Sequence, residues 1–254
     1  MIASASHHRL AYGPLTPWPE RLAREGPLLE KTFAASPSPR LVDLGCGSGE
    51  HARYLAGCGF TVVGIDASRE ELDAARRVPL PPEVQLVQGD MGAVEALVRG
   101  QFGGALCVGN SLAHIVGTES LCRMMVGLRR RLLPGAPIIL QTFNFDRIFH
   151  CHDRHLPLEF RRDEDGGDLI SLPLLAEQTD GILLFSPYVL RHRPGEEPPI
   201  EVVAARTMQL RGWRKWELEE VLEVAQFGSV TACGGWDESP FVELLSPQLI
   251  LIAR

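Results

Sequence analysis

The chain has 254 residues, with 25 lysines and arginines against 32 aspartates and glutamates, a net charge of −7 and a pI of about 5.6. That balance argues against a bulk nucleic-acid binder. With 45% apolar residues and a mean hydropathy of +0.01, the chain can bury one large core, or one core with an insertion.

No stretch reaches the ~18 apolar residues of a membrane span, and the N-terminus lacks a basic segment followed by an apolar run. The six cysteines (46, 58, 107, 122, 151 and 233) form no CxxC pair and read as small buried apolar residues of a reducing compartment. The expectation is a soluble, cytoplasmic protein without membrane or nucleic-acid partners, monomeric or homodimeric.

Residues 1–17 are polar and rich in proline and histidine, and read as an arm. The spacing of Leu22, Leu28, Leu29 and Phe33 predicts an amphipathic helix over Trp18–Phe33, with Pro19 in its first turn. A Pro-rich break at Ser36–Pro39 precedes a buried strand, Leu41–Leu44, which runs into alternate glycines and a helix over Glu50–Gly57. Thr61–Asp66 is a second strand, and Ser68 caps a helix to Arg77 with Glu70 and Glu71 in its first turn. A third strand, Val84–Val87, a short helix, Ala93–Val98, and a fourth strand, Gly104–Val108, follow. A helix over Ser120–Leu132 stops at Pro134-Gly135, and Ile138–Phe143 is a fifth strand. This alternation predicts an α/β fold with a doubly wound, Rossmann-like sheet.

The pattern then changes. Residues 145–212 carry a charge cluster (Arg161–Asp165) and β-prone runs at Leu169–Leu172, Ile182–Tyr188 and Glu201–Leu210, with a turn at Arg193–Pro199. They read as a small antiparallel sheet inserted after the fifth strand. Trp216–Gln226 resumes as helix, Val230–Cys233 is a sixth strand, and Gln248–Ala253 is an antiparallel seventh. The expected organisation is a core of 1–144 and 213–254 with an inserted lid or substrate subdomain at 145–212.

The chemistry concentrates where strands end. In Val42-Asp43-Leu44-Gly45-Cys46-Gly47-Ser48-Gly49, a buried strand breaks into glycines at a helix N-terminus, which presents backbone N–H groups and a helix dipole to a ligand. Asp66, about 20 residues on, is placed for ribose hydroxyls. A dinucleotide would want G-x-G-x-x-G, but Glu50 stands where its third glycine would fall, and Asp43 would repel a pyrophosphate. A cationic ligand explains Asp43 better. This motif resembles that of class I S-adenosylmethionine-dependent methyltransferases, and the resemblance implies S-adenosyl-L-methionine as cofactor and S-adenosyl-L-homocysteine as product.

Carried onto this chain, the resemblance implies cofactor contacts at Asp43, Gly45, Gly47, Gly49, Asp66 with Ala67, Asp90 with Met91 around the adenine, and Gly109 at the active-site entrance. Gly109-Asn-Ser-Leu-Ala-His114 and Phe143-Asn-Phe-Asp146 are similar to loops of the glycine/sarcosine N-methyltransferases and related small-molecule enzymes. Trp18, with Arg21 or Arg24, is similar to the segment that closes over the cofactor's methionine end; of the two arginines, Arg24 is taken. The resemblance implies that Asn110 stands beside the substrate, His114 beside the cofactor and Asn144 at the pocket rim. Leu133 occupies the position of an arginine that holds the substrate carboxylate in the glycine enzymes, Phe145 replaces a tyrosine, and Arg147 replaces an aromatic. The acceptor is therefore a small molecule other than a plain copy of glycine, methylated at an amine.

O-methylation of a secondary metabolite, with the insertion as lid, is the alternative. A non-catalytic nucleoside-binding scaffold and a dehydrogenase are further ones. His150, Cys151, His152 and His155 are metal-type ligands without a second pair at finger-like spacing; they read as a polar lid segment, and no metal is assigned. Tyr188, His192, Arg193 and Trp213 are candidates for a pocket wall, and Trp216 is expected to pin the returning helix to the core.

Overall fold

The computed structural model describes residues 16–163 and 165–254. The arm expected over residues 1–17 lies almost wholly outside them.

Among the described residues, twelve strands and seven α-helices follow in chain order. The first half holds α1 (Trp18–Ala34), β1 (Arg40–Leu44), α2 (Glu50–Gly57), β2 (Thr61–Asp66), α3 (Arg69–Arg77), β3 (Val84–Gln88), α4 (Val94–Leu97), β4 (Gly104–Cys107), α5 (Thr118–Arg131) and β5 (Ile138–Phe143). Then come α6 (Phe145–Cys151), β6 (Glu159–Arg162), β7 (Asp168–Glu177), β8 (Ile182–His192), β9 (Ile200–Ala205) and β10 (Met208–Arg211). The chain closes with α7 (Lys215–Val224), β11 (Val230–Cys233) and β12 (Gln248–Ala253).

The main sheet has seven strands in the order β11-β12-β5-β4-β1-β2-β3, with β12 antiparallel to both its neighbours. Its strands are nearly continuous apolar runs because helices cover both faces. Side chains alternate between two cores as the pleat requires. Val42, Ile138, Leu140 and Leu251 join one, which also holds Phe102, Met124 and Trp213. Leu41, Ile139 and Ile250 join the other, with Leu29, Phe33, Leu55 and Trp236. Ser68 accepts a hydrogen bond from the Glu71 N–H at 3.2 Å, capping α3 as its sequence predicts.

A second sheet, wholly antiparallel, has the order β10-β8-β7-β6, with β9 also pairing β8. Its apolar face, including Leu175, Leu183, Phe185 and Leu210, packs with Phe145 and Ile148 of α6 into a third core. The run expected over Glu201–Leu210 is two strands on one edge of β8: β9 pairs Tyr188–His192, β10 pairs Ile182–Phe185. Between them the chain steps aside at Arg206-Thr207, where the Thr207 and Ser186 hydroxyls share a hydrogen bond of 2.8 Å.

Two local expectations are corrected. Residues 145–151, read as the start of the inserted sheet, form α6. Trp216 is 58% exposed, whereas Trp213 is fully buried and donates its indole N–H to the Ile115 carbonyl at 3.0 Å, so Trp213 holds the returning chain. His150 and Cys151 end α6, His152 faces Glu177 at 3.4 Å, and His155 contacts the Leu156 carbonyl. Among the described residues, no group of three or more metal-type side chains is placed to hold an ion.

Candidate active site

A cavity of about 1420 Å³ opens where the carboxyl ends of β1, β2 and β4 meet the second sheet. Single-ligand pockets run to ~300–1,000 Å³, so this volume accommodates a nucleoside and a second molecule. Its walls include Trp18, Arg21 and Arg24 of α1, the Gly45–Ser48 turn, Asp66 with Ala67, Asp90 with Met91, and Gly109, Asn110 and His114. Asn144, Arg147 and Arg154 lie on the far side, with Phe185, Arg206 and Met208 of the second sheet region.

The glycine turn is shaped by close approach. Gly45, at φ +73°, leaves no room for a Cβ, which would stand 2.6 Å from the Ser111 Cβ. Ser111 locks the two strand ends together by donating to the Val108 and Gly45 carbonyls (2.9 and 3.2 Å). Asp66 accepts from the Gly47 N–H at 2.7 Å and from the Ser68 N–H at 2.8 Å, so the carboxylate is fixed to the turn that faces it. Asp90 accepts from the Gly92 N–H at 2.8 Å, and Met91 beside it is buried.

Two predicted cofactor residues do not reach the wall: neither Asp43 nor Gly49 lines the cavity. Gly49 sits at φ +77° as the residue before α2. Asp43 lies beneath the turn at 1% exposure, and its Oδ2 has no hydrogen-bond partner among the described residues. Burial pushes its carboxyl up to about 6, against the pull of His51 and Arg21 and with the repulsion of Asp66. The Trp18 indole N–H and the Ser48 hydroxyl are also buried without partners among the described residues. Each orphan costs ~1–3 kcal/mol, and together they suit a polar ligand with a cationic part. Arg24 lines the cavity, but its side chain is 65% exposed; the arginine lying over Gly109 is Arg21.

At the end of β4, Asn110 takes the left-handed conformation (φ +64°), which asparagine tolerates better than most residues. Its Oδ1 accepts from the Thr142 hydroxyl at 2.6 Å and the Phe143 N–H at 3.2 Å, tying the loop to β5. Asn144 is 1% exposed; Oδ1 accepts from the Arg147 N–H, and Nδ2 donates to the Glu243 and Ser246 carbonyls. Its amide therefore caps α6 and anchors the 243–246 segment. His114 lines the cavity and is exposed there. Desolvation, then the charge of Arg206, lowers its imidazole below the ordinary value, with Asp66 opposing. It is a neutral hydrogen-bond acceptor at physiological pH.

Two cavity-lining residues at the α1 end carry no motif signal, Glu25 and His51. They lie 26 positions apart and meet only because α1 crosses α2, where their side chains pair at 2.7 Å. Tyr188, His192, Arg193 and Trp213 do not line the cavity.

Residues 41–135 match the family model described as a methyltransferase domain. The strand order and the strand-end loops agree with this match, and together they support a class I S-adenosylmethionine-dependent methyltransferase domain. It is 27% identical over 136 residues to a glycine/sarcosine N-methyltransferase of Aphanothece halophytica, covering 52% of this chain and 50% of that protein. It is 29% identical over 109 residues to a dTDP-3-amino-3,6-dideoxy-alpha-D-glucopyranose N,N-dimethyltransferase of Streptomyces fradiae, covering 43% and 41%. The chain thus spans about half the length, or less, of these curated relatives. The fold matches SAM-bound CalS10, an amino pentose methyltransferase from Micromonospora echinaspora, with a TM-score of 0.72 at 18% identity, over 99% of this chain and all of that one.

Proposed function

We propose that this protein transfers a methyl group from S-adenosylmethionine to an amine nitrogen of a small molecule. The observation that carries the reading is the single cavity that joins the Gly45–Ser48 turn and Asp66 to the second sheet through the Asn110–His114 loop. When bound, the cofactor supplies an activated methyl group. Gly45, Gly47, Asp66, Ala67, Asp90 and Met91 would hold its nucleoside, and Trp18, Arg21 and Gly109 its methionine end. Asp43 and Gly49 act from behind the wall, by charge and by shaping the helix start. Asn110 and Asn144 are proposed to set the acceptor's position through the backbone they pin.

The protein's work is alignment and exclusion of water, worth up to ~7–11 kcal/mol in favourable cases. A protonated amine cannot attack, so a neutral His114 accepts the proton or orients the N–H. Residues 145–212 serve as the acceptor-side subdomain on the 1–144 and 213–254 core.

The acceptor is larger than glycine. Leu133, at the position of the expected carboxylate clamp, packs on the core instead. The cavity has room beyond the nucleoside, and both relatives described above are named for methylation at nitrogen. A net charge of −7 supports a small-molecule partner over nucleic acid, and the free cysteines support a cytoplasmic setting.

Mass spectrometry of reactions with methyl donor and a panel of amino sugars, amino acids and phenols tests this reading. The expected product is a +14 Da amine (one CH₂, ~14 Da, added per transfer). Methylation of phenols alone would replace it by O-methylation.

A further inference from the structure

Glu25 is 2% exposed on α1, the last of the helix's cavity-lining residues before its apolar stripe Leu28, Leu29 and Phe33. A buried carboxylate persists only when paired and hydrogen-bonded. Here both oxygens are used. Oε1 accepts from Arg21 Nε at 2.8 Å and Arg24 Nη2 at 3.3 Å, and Oε2 pairs with His51 Nε2 at 2.7 Å. Burial works to raise the Glu25 carboxyl, but the His51 hydrogen bond and the Arg21 charge outweigh it and hold the group below its ordinary value. An ionised carboxylate only accepts, so His51 Nε2 carries a proton. His51 is itself 5% exposed in the first turn of α2, with the Trp18 ring edge-on at 5.3 Å.

The consequence falls on Arg21. With Nε held by Glu25, its guanidinium stacks on Trp18 at 4.9 Å and lies over Gly109, Nη2 being 3.1 Å from where a Cβ would stand. A side chain there would crowd the guanidinium and take a strained backbone, since Gly109 sits at φ +73°. The outer nitrogens of Arg21 line the cavity and have no protein partner among the described residues. A fixed guanidinium fork with one edge free suits a carboxylate, which it can bind in a bidentate manner.

We infer that Glu25 and His51 are positioning residues: they lock α1 onto α2 so that Arg21 meets the carboxylate of the methyl donor's amino-acid end. This rests on the methyl-donor reading above. Both residues line that end of the cavity, but the Glu25 oxygens and His51 Nε2 are engaged within the protein, so they act through Arg21.

Calorimetric titration of the full chain with S-adenosylhomocysteine and with 5′-methylthioadenosine separates the two ends, because the second ligand has the nucleoside and thioether but no amino acid. Glu25→Gln should weaken S-adenosylhomocysteine about tenfold or more and change 5′-methylthioadenosine by less than about twofold. In an Arg21→Ala background the same substitution should cost less than about a further twofold, since the two act through one contact. Should Glu25→Gln fail to fold, His51→Phe, which keeps a ring and removes the donor, takes its place with the same expectations. Equal weakening of both ligands, no weakening of either, or additivity with Arg21→Ala overturns the inference and leaves the donor reading standing. A wild-type protein that binds neither ligand removes both.

Discussion

Asp43 holds a carboxylate where solvation is poorest, under a glycine turn, with one oxygen unpartnered and its carboxyl pushed up to about 6 from an ordinary 3.8. A carboxyl raised on folding contributes stability at acid pH that is lost as pH rises from about 3.8 through about 6. The ligand-free protein should therefore be destabilised above pH 6 by an amount on the order of 3 kcal/mol at this residue. Asp43→Asn should raise the unfolding free energy by up to about that much at pH 8 and by little near pH 4. Urea unfolding at the two pH values checks it, and a variant equally stabilised at both would show that the charge is not the cause. The same variant should bind the cationic donor more weakly, which is the stability–function trade expected of a binding carboxylate.

The helices and strands divide into those that local pattern specifies and those that only contact specifies. The first five strands and the cap at Ser68 were legible because buried parallel strands read as apolar runs and a side-chain cap is a local event. Helix α6 was not: its seven residues, Phe145–Cys151, lie beside a loop that resembles an active-site element, and the motif masked the cap. Asn144 acts as that cap and also holds the Glu243 and Ser246 carbonyls about a hundred positions away. Asn144→Ala should then cost about 2 kcal/mol or more, a lost cap plus buried carbonyls left unpaired. A melting curve measures it, and an unchanged midpoint would mean the three contacts contribute nothing. The split of Glu201–Leu210 into β9 and β10 was equally invisible, since β-prone residues continue across Arg206-Thr207 and only pairing along β8 separates them. The Glu25–His51 pair needs α1 laid across α2 before it exists at all.

Across the whole molecule, one cavity lies between the strand ends of the main sheet and the second sheet, with the Asn110–His114 loop between them, and we propose the first as its donor side and the second as its acceptor side. Local motifs single out the donor-side wall from Gly45 through Asp66 and Asp90 to Gly109, whereas Glu25 and His51 lie in no motif. The acceptor half is built by β-strands whose inward residues, such as Phe185 and Met208, carry no pattern beyond alternation. The division has a consequence for kinetics. Met208→Ala should raise KM for the amine about tenfold and leave donor affinity within about twofold, whereas equal effects on both would mean that the halves are not separate. The central claim, that the glycine turn with Asp66 holds a methyl donor, is tested most directly by calorimetric titration of the protein with S-adenosylmethionine. The account predicts saturable one-to-one binding that Asp66→Ala abolishes; no heat of binding at donor concentrations near ~1 mM, a free energy of only about −4 kcal/mol, would contradict it.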